Sequence, residues 1–185
     1  MENHTIADPH GNILRPIHKT KTTENSNSSI KPIISDSTTL EVFVFDAVMQ
    51  SPGSQFGHVA LDIDGTTYSR AHGKYVELNT KAYLDSNQKI RAFEGLLLRV
   101  SPSEKEKIRT ELKRRIALNK PYSIATNSCS TNVADVLEQI GILAHDPRFK
   151  INPESTELVS PKEILIVVSR SKRMVRRNHY RKLGQ

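Results

Sequence analysis

Apolar and polar positions alternate in distinct ways along this chain. Residues 40–48 (LEVFVFDAV) place Val42, Val44 and Ala47 among Phe43 and Phe45, which predicts a strand buried on both faces. Ser51-Pro52-Gly53-Ser54 reads as a loop. In residues 56–71, Val59, Leu61 and Ile63 alternate with His58, Ala60 and Asp62, and Asp64-Gly65 follows as a hairpin turn. A two-residue turn there pairs Ile63 with Thr66, Asp62 with Thr67 and Ala60 with Ser69. Residues 95–100 predict a further short strand.

Helical periodicity comes next. Ser101-Pro102-Ser103-Glu104 carries an N-cap serine, proline at the first helical position and glutamate three after the cap. Ile108, Leu112 and Ile116 then form a stripe that should end near Asn119. A second helix should begin around Cys129 and run to about Ile140, with Val133, Val136, Leu137 and Ile140 inward and Gly141 as its stop. The β-branched run 164–168 could form a strand, but Ser160-Pro161-Lys162-Glu163 repeats the capping pattern and favours a helix. Strands followed by helices predict an α+β fold with a small antiparallel sheet.

Composition divides the chain into three parts. Residues 1–38 are rich in Thr, Ser, Asn and Lys and read as a flexible N-terminal arm, with an ordered patch near Ile13 and Leu14. Residues 39–169 read as the folded domain, and residues 170–185 as a basic C-terminal tail. The net charge of +7 lies in that tail: seven of the 27 Lys and Arg fall from Arg170 onward, and without them 20 basic residues face 20 acidic ones. Such a tail favours anionic partners, a membrane surface among them. Nucleic acid is the weaker choice of partner, because the five Phe and five Tyr show no base-stacking pattern. No apolar run has the length of a membrane span, and residues 1–15 lack a signal-peptide core.

The single cysteine excludes an intrachain disulfide and a multi-cysteine zinc site. The histidines show no ligand spacing, so neither a metal nor a cofactor is implied. Cys129 enters its helix from a small polar stretch, where the helix dipole and free N–H groups should favour a thiolate and could hold an oxyanion. Its position four before Val133 also allows a structural role on the apolar stripe. A thiol nucleophile needs an imidazole. His58 stands on a strand beside Gly57, which would admit substrate, whereas His4, His10, His18 and His179 fall in the arm and the tail. Ser69, His72 and Asp62 compete as the group that orients His58.

Phe56-Gly57-His58-Val59-Ala60-Leu61 with Asp64-Gly65-Thr66-Thr67-Tyr68-Ser69 resembles the histidine hairpin of circularly permuted NlpC-type papain-like proteins. Tyr122-Ser123-Ile124-Ala125-Thr126-Asn127-Ser128-Cys129 resembles their nucleophile segment, in the permuted order of His before Cys. The resemblance covers about residues 40–168. It departs from the lecithin–retinol acyltransferase-like group at Ser69, where a second histidine is usual, and at Ser128, where asparagine often precedes the nucleophile. It implies an acyl-enzyme mechanism with Cys129 as nucleophile and His58 as base. Ser69 or His72 would assist, and Asn127, Ser128, Gly57 and Tyr122 would line the substrate or oxyanion site. It further implies a hydrolase of a bacterial-envelope bond, either a peptidoglycan amide or a phospholipid ester. Such a protein would be a toxin effector delivered into rival cells by contact-dependent secretion, with an immunity protein as partner. Two other readings stand beside it: a non-catalytic papain-like binding domain, and nucleic-acid binding through the basic tail.

Overall fold

The computed structural model describes residues 6–7, 13–14, 35–51, 53–146, 148 and 158–184. Two short strands, β1 (Ile6–Ala7) and β2 (Ile13–Leu14), pair antiparallel. They include the patch expected at Ile13 and Leu14, and the remainder of the arm up to residue 34 lies outside the described residues.

The main sheet has six antiparallel strands: β3 (Thr39–Phe45), β4 (His58–Ile63), β5 (Thr66–Arg70), β6 (Tyr75–Asn79), β7 (Phe93–Arg99) and β8 (Met174–Tyr180). Their order is β6-β5-β4-β3-β7-β8. The helices are α1 (Thr80–Gln88), α2 (Pro102–Leu118), α3 (Cys129–Glu138) and α4 (Pro161–Val168). The fold is α+β and compatible with a papain-like arrangement, with a wider sheet than the sequence suggested.

Each face of the sheet has its own core. Val42, Val44, Val59, Leu61, Leu96 and Leu98 meet the apolar sides of α2, α3 and α4. The opposite parity places Phe43, Phe45, Ala60 and Phe93 against Tyr83 and Leu84 of α1 and Tyr180 of β8. This double coverage explains why every residue of β3 is buried. The hairpin register is as the turn chemistry required, with Ala60 opposite Ser69 and Asp62 opposite Thr67. Asp64 and Gly65 both have positive φ, as a two-residue turn of this kind demands. Ser101 and Glu104 complete the capping box of α2, and Asn119 ends the helix in the left-handed conformation. Ser160 caps α4 by accepting from the Glu163 N–H, so residues 161–168 are helical despite their β-branched composition.

The C-terminal segment corrects the reading of residues 170–185 as a tail. Met174–Tyr180 is the strand β8, paired along β7 with Phe93 opposite Tyr180 and Gly95 opposite Asn178. The rings of Phe93 and Tyr180 stack at 4.5 Å. Arg177 and His179 both pair with Glu94, so part of the basic charge is neutralised within the fold. The folded unit also starts earlier than residue 39, because Ser35 hydrogen-bonds the Asp62 carboxylate through its N–H and its hydroxyl.

β8 encloses a buried acid. Glu41 has no exposed surface, and its Oε1 accepts from Asn178 Nδ2 at 2.8 Å and from the Tyr180 hydroxyl at 3.2 Å. Gly95 makes room for it: a Cβ there would collide with Glu41 Oε1 and stand 2.9 Å from the Tyr180 ring. Burial pushes the Glu41 carboxyl up to about 7.

Candidate active site

The start of β4 and the start of α3 converge at one end of the sheet. His58 is the first residue of β4, and Cys129 the first of α3. Gly57 precedes the imidazole with φ of 100°, a conformation that glycine adopts without penalty. Its N–H donates to Ser54 O, which fixes the approach to the strand.

His58 is buried, and its Nε2 lies 2.6 Å from Ser69 Oγ and 3.1 Å from the Tyr83 hydroxyl. Ser69 thus occupies the place the hairpin register assigned to it, and Tyr83 joins from α1. Burial holds the imidazole down to about 3, and the charge of Arg91 adds to the effect. The ring is therefore neutral at ordinary pH.

Cys129 is likewise buried. Backbone N–H groups of Val59 and Ser130 hydrogen-bond the sulfur and favour its ionised form, as does the charge of Arg91. Burial outweighs them and pushes the thiol up. This runs against the expectation of a thiolate at the head of the helix, because desolvation exceeds the hydrogen bonds from Val59 and Ser130 and the charge of Arg91. The Cys129 N–H belongs to the first turn of α3, whose backbone donors have no acceptor within the helix. No hydrogen bond joins Cys129 to His58 among the described residues. They are linked through Val59, which follows His58 in β4 and donates to the sulfur.

Ser128 is the N-cap of α3. Its hydroxyl accepts from the Thr131 N–H and its own N–H donates to Thr131 Oγ1, so that donor is already used. Asn127 is fully occupied as well. Its Nδ2 donates to Lys120 O at 3.0 Å and Pro121 O at 2.8 Å. Its Oδ1 accepts from the Tyr75 hydroxyl and from Asn132 Nδ2, each at 2.9 Å. With both amide hydrogens engaged, the side chain has no donor for an oxyanion, and its role as an oxyanion group is corrected to one of holding the loop before Cys129. Tyr122 is half-buried near the sulfur. Burial pushes its phenol up, and the nearby Cys129 adds to this.

His72 does not reach His58. It is exposed on the β5–β6 loop, with its ring 4.9 Å from that of Tyr122. Asp62 points to the far end of the sheet, where Ser35 and Thr80 hold it. His145 pairs with Glu163 at 2.7 Å, well outside this site. No group of three or more His, Cys, Asp or Glu that could hold a metal occurs among the described residues.

Two arginines and a tyrosine were missed by sequence reasoning. Arg91, on the turn before β7, lies with its guanidinium 4.9 Å from the Phe45 ring centroid. Its Nε and Nη2 donate to Asn87 Oδ1, and its charge reaches both His58 and Cys129. Arg70 is buried between the rings of Tyr75 and Tyr122, at 4.6 and 5.5 Å, and donates to Ala71 O and Lys120 O. Tyr83 belongs to α1, whose start was marked only by Asn79, the cap that accepts from the Ala82 N–H. One isolated Asx cap ahead of a short, mostly polar helix is a weak signal.

No protein-family model matches the chain, and no curated protein matches it. Among solved structures, the chain is similar to one titled as a type VI secretion system effector, TseH, at 17% identity and a TM-score of 0.49. The match covers 72% of this chain and 89% of that one. No helix among the described residues is long and apolar enough to cross a membrane.

Proposed function

We propose that the chain is a thiol hydrolase that cleaves an acyl bond through a Cys129 acyl-enzyme. The observation that carries this reading is the convergence of Cys129 and His58 at one sheet end, with the imidazole held by Ser69 and Tyr83. When Nε2–H donates to those oxygens, Nδ1 is the nitrogen left to accept a proton.

The neutral thiol and neutral imidazole make attack and proton transfer a single event. As the sulfur bonds to the acyl carbon, its proton passes to His58 Nδ1. The bond to the leaving group then breaks, and that group takes the proton from the imidazolium. Water next attacks the thioester, again giving its proton to His58, and the carboxylic product departs as the thiol is restored. The Cys129 N–H faces the developing oxyanion, and Arg91 offsets negative charge at the sulfur.

The envelope substrate and the effector role rest on the likeness of residues 56–69 and 122–129 to permuted NlpC-type proteins. Within that reading, the substrate is a peptidoglycan amide or a phospholipid ester, and an immunity protein is the expected partner.

The test is periplasmic expression of wild type and Cys129→Ala in a susceptible bacterium, with purified peptidoglycan and phospholipid assayed for released products. Toxicity and product release from wild type alone support the reading. Equal toxicity of both proteins assigns Cys129 a structural role and favours a non-catalytic binding domain.

A further inference from the structure

The loops at the sheet end that holds Cys129 and His58 surround that end as a ring of neighbours, linked in series by four contacts. Leu183 N–H donates to Gln88 O, which joins residues 181–184 to the end of α1. Arg91 Nη1 donates to Asp46 O, which joins the 89–92 turn to the 46–57 loop. A Cβ on Gly53 would lie 2.9 Å from His72, so the 46–57 loop abuts the 71–74 loop. His72 in turn meets Tyr122 of the 119–128 segment.

This ring has a distinct surface chemistry. Five of the nine exposed large apolar side chains among the described residues stand on it: Met49 (61% exposed), Phe56 (40%), Ile90 (56%), Ile124 (52%) and Leu183 (57%). The same loops carry Lys74, Lys89, Arg91, Lys120, Arg181 and Lys182, with Asp46 as their one carboxylate. The ammonium groups of Lys74, Lys89, Lys120 and Lys182 have no ion-pair partner among the described residues. At the other end of the sheet acidic residues pair several of the cations: Asp64 holds Lys105 and Arg109, and Glu104 holds Arg173.

We propose that this ring is a docking surface for an anionic phospholipid bilayer. Apolar tips beside unpaired lysines suit the boundary between acyl chains and headgroups, where the tips are buried and the ammonium groups meet phosphate. A protein partner fits less well, because the centres of protein interfaces are depleted of lysine. Clustering on one end also separates these residues from the scattered exposed apolar side chains of any soluble protein. Docking brings the end of the sheet that holds Cys129 and His58 against the lipid surface. It would hold even if Cys129 were not a nucleophile.

The test uses the full chain as Cys129→Ala, so that lipid cleavage cannot affect the readout. Its co-sedimentation is measured with vesicles of phosphatidylglycerol and phosphatidylcholine and with vesicles of phosphatidylcholine alone. Binding to the anionic vesicles that weakens with salt is expected. Ile90→Asp with Ile124→Asp should lower it roughly tenfold or more, and Lys74→Gln or Lys120→Gln about fivefold each. Leu143→Asp, at an exposed apolar position outside the ring, should leave it unchanged. Circular dichroism of each variant establishes that the fold is intact. The proposal is overturned if the Cys129→Ala chain ignores anionic vesicles, or if Leu143→Asp weakens binding as much as the ring variants. It is also overturned if the ring variants abolish self-association in lipid-free sedimentation and leave vesicle binding untouched, which would assign the ring to a second copy of the chain.

Discussion

His58 Nε2 and Ser69 Oγ face each other at 2.6 Å across the β4–β5 hairpin, two residues out of direct register. The contact is diagonal, so it depends on the two-residue turn at Asp64-Gly65. Ser69→Ala removes an acceptor that fixes the imidazole tautomer. The expected outcome is a fall in kcat of about tenfold or more with the fold retained, read from steady-state kinetics on the bond identified by product analysis. Tyr83→Phe should act in the same direction and less strongly, because its oxygen is farther from Nε2.

Burial sets the charge state of both partners, and Arg91 reinforces it at His58 and opposes it at Cys129. In wild type, His58 should show no titration in NMR between pH 5 and 8, since burial and Arg91 hold it down to about 3. Arg91→Gln removes the repelling cation and should move the imidazole upward. The same change removes an attraction for the thiolate, so Cys129 should alkylate more slowly at a given pH. In both proteins alkylation should rise with pH and have its midpoint above that of an ordinary thiol. A faster reaction in Arg91→Gln would contradict this account.

Glu41 ties stability to pH. Its carboxyl ionises near 4.5 in the unfolded chain and at about 7 when folded. Between those values the unfolded chain has lost the proton while the folded chain keeps it, so stability falls as pH rises and levels off above 7. The span corresponds to about 3 kcal/mol. Glu41→Gln keeps the neutral form at every pH, and urea unfolding should show its stability flattened across that interval relative to wild type.

β8 is a structural strand, and its loss should be costly. Tyr180→Ala removes a fully buried ring stacked on Phe93 and a donor to Glu41. A destabilisation of about 3–5 kcal/mol is expected from urea or thermal unfolding. A solvated tail would give a change near zero.

Much of this architecture was legible because local chemistry and global packing agree. The Asp64-Gly65 turn fixed the strand register, and two capping serines, Ser101 and Ser160, marked two helix starts, whereas the cap of α3, Ser128, appeared only in the structure. β8 was hidden because Arg176 and Arg177 resemble solvent-facing charge; Glu94, which pairs with Arg177 and His179, lies more than eighty residues away in sequence. Arg91 and Tyr83 were hidden for a similar reason: their importance comes from what α1 and the following turn pack against. The ionisation of Cys129 was misjudged because a helix terminus is visible in sequence, whereas the depth of burial that opposes it is not.

The amide that Val59 offers to the Cys129 sulfur lies at the seam between two parts that assemble differently. His58, Ser69 and Tyr83 belong to one uninterrupted stretch of chain, so the imidazole side can form with its own hairpin and helix. The sulfur arrives only when α3 docks from much later in the sequence. Hydrogen exchange at this single amide therefore reports the joining of the two halves, and would detect a separated but otherwise folded population that bulk unfolding overlooks.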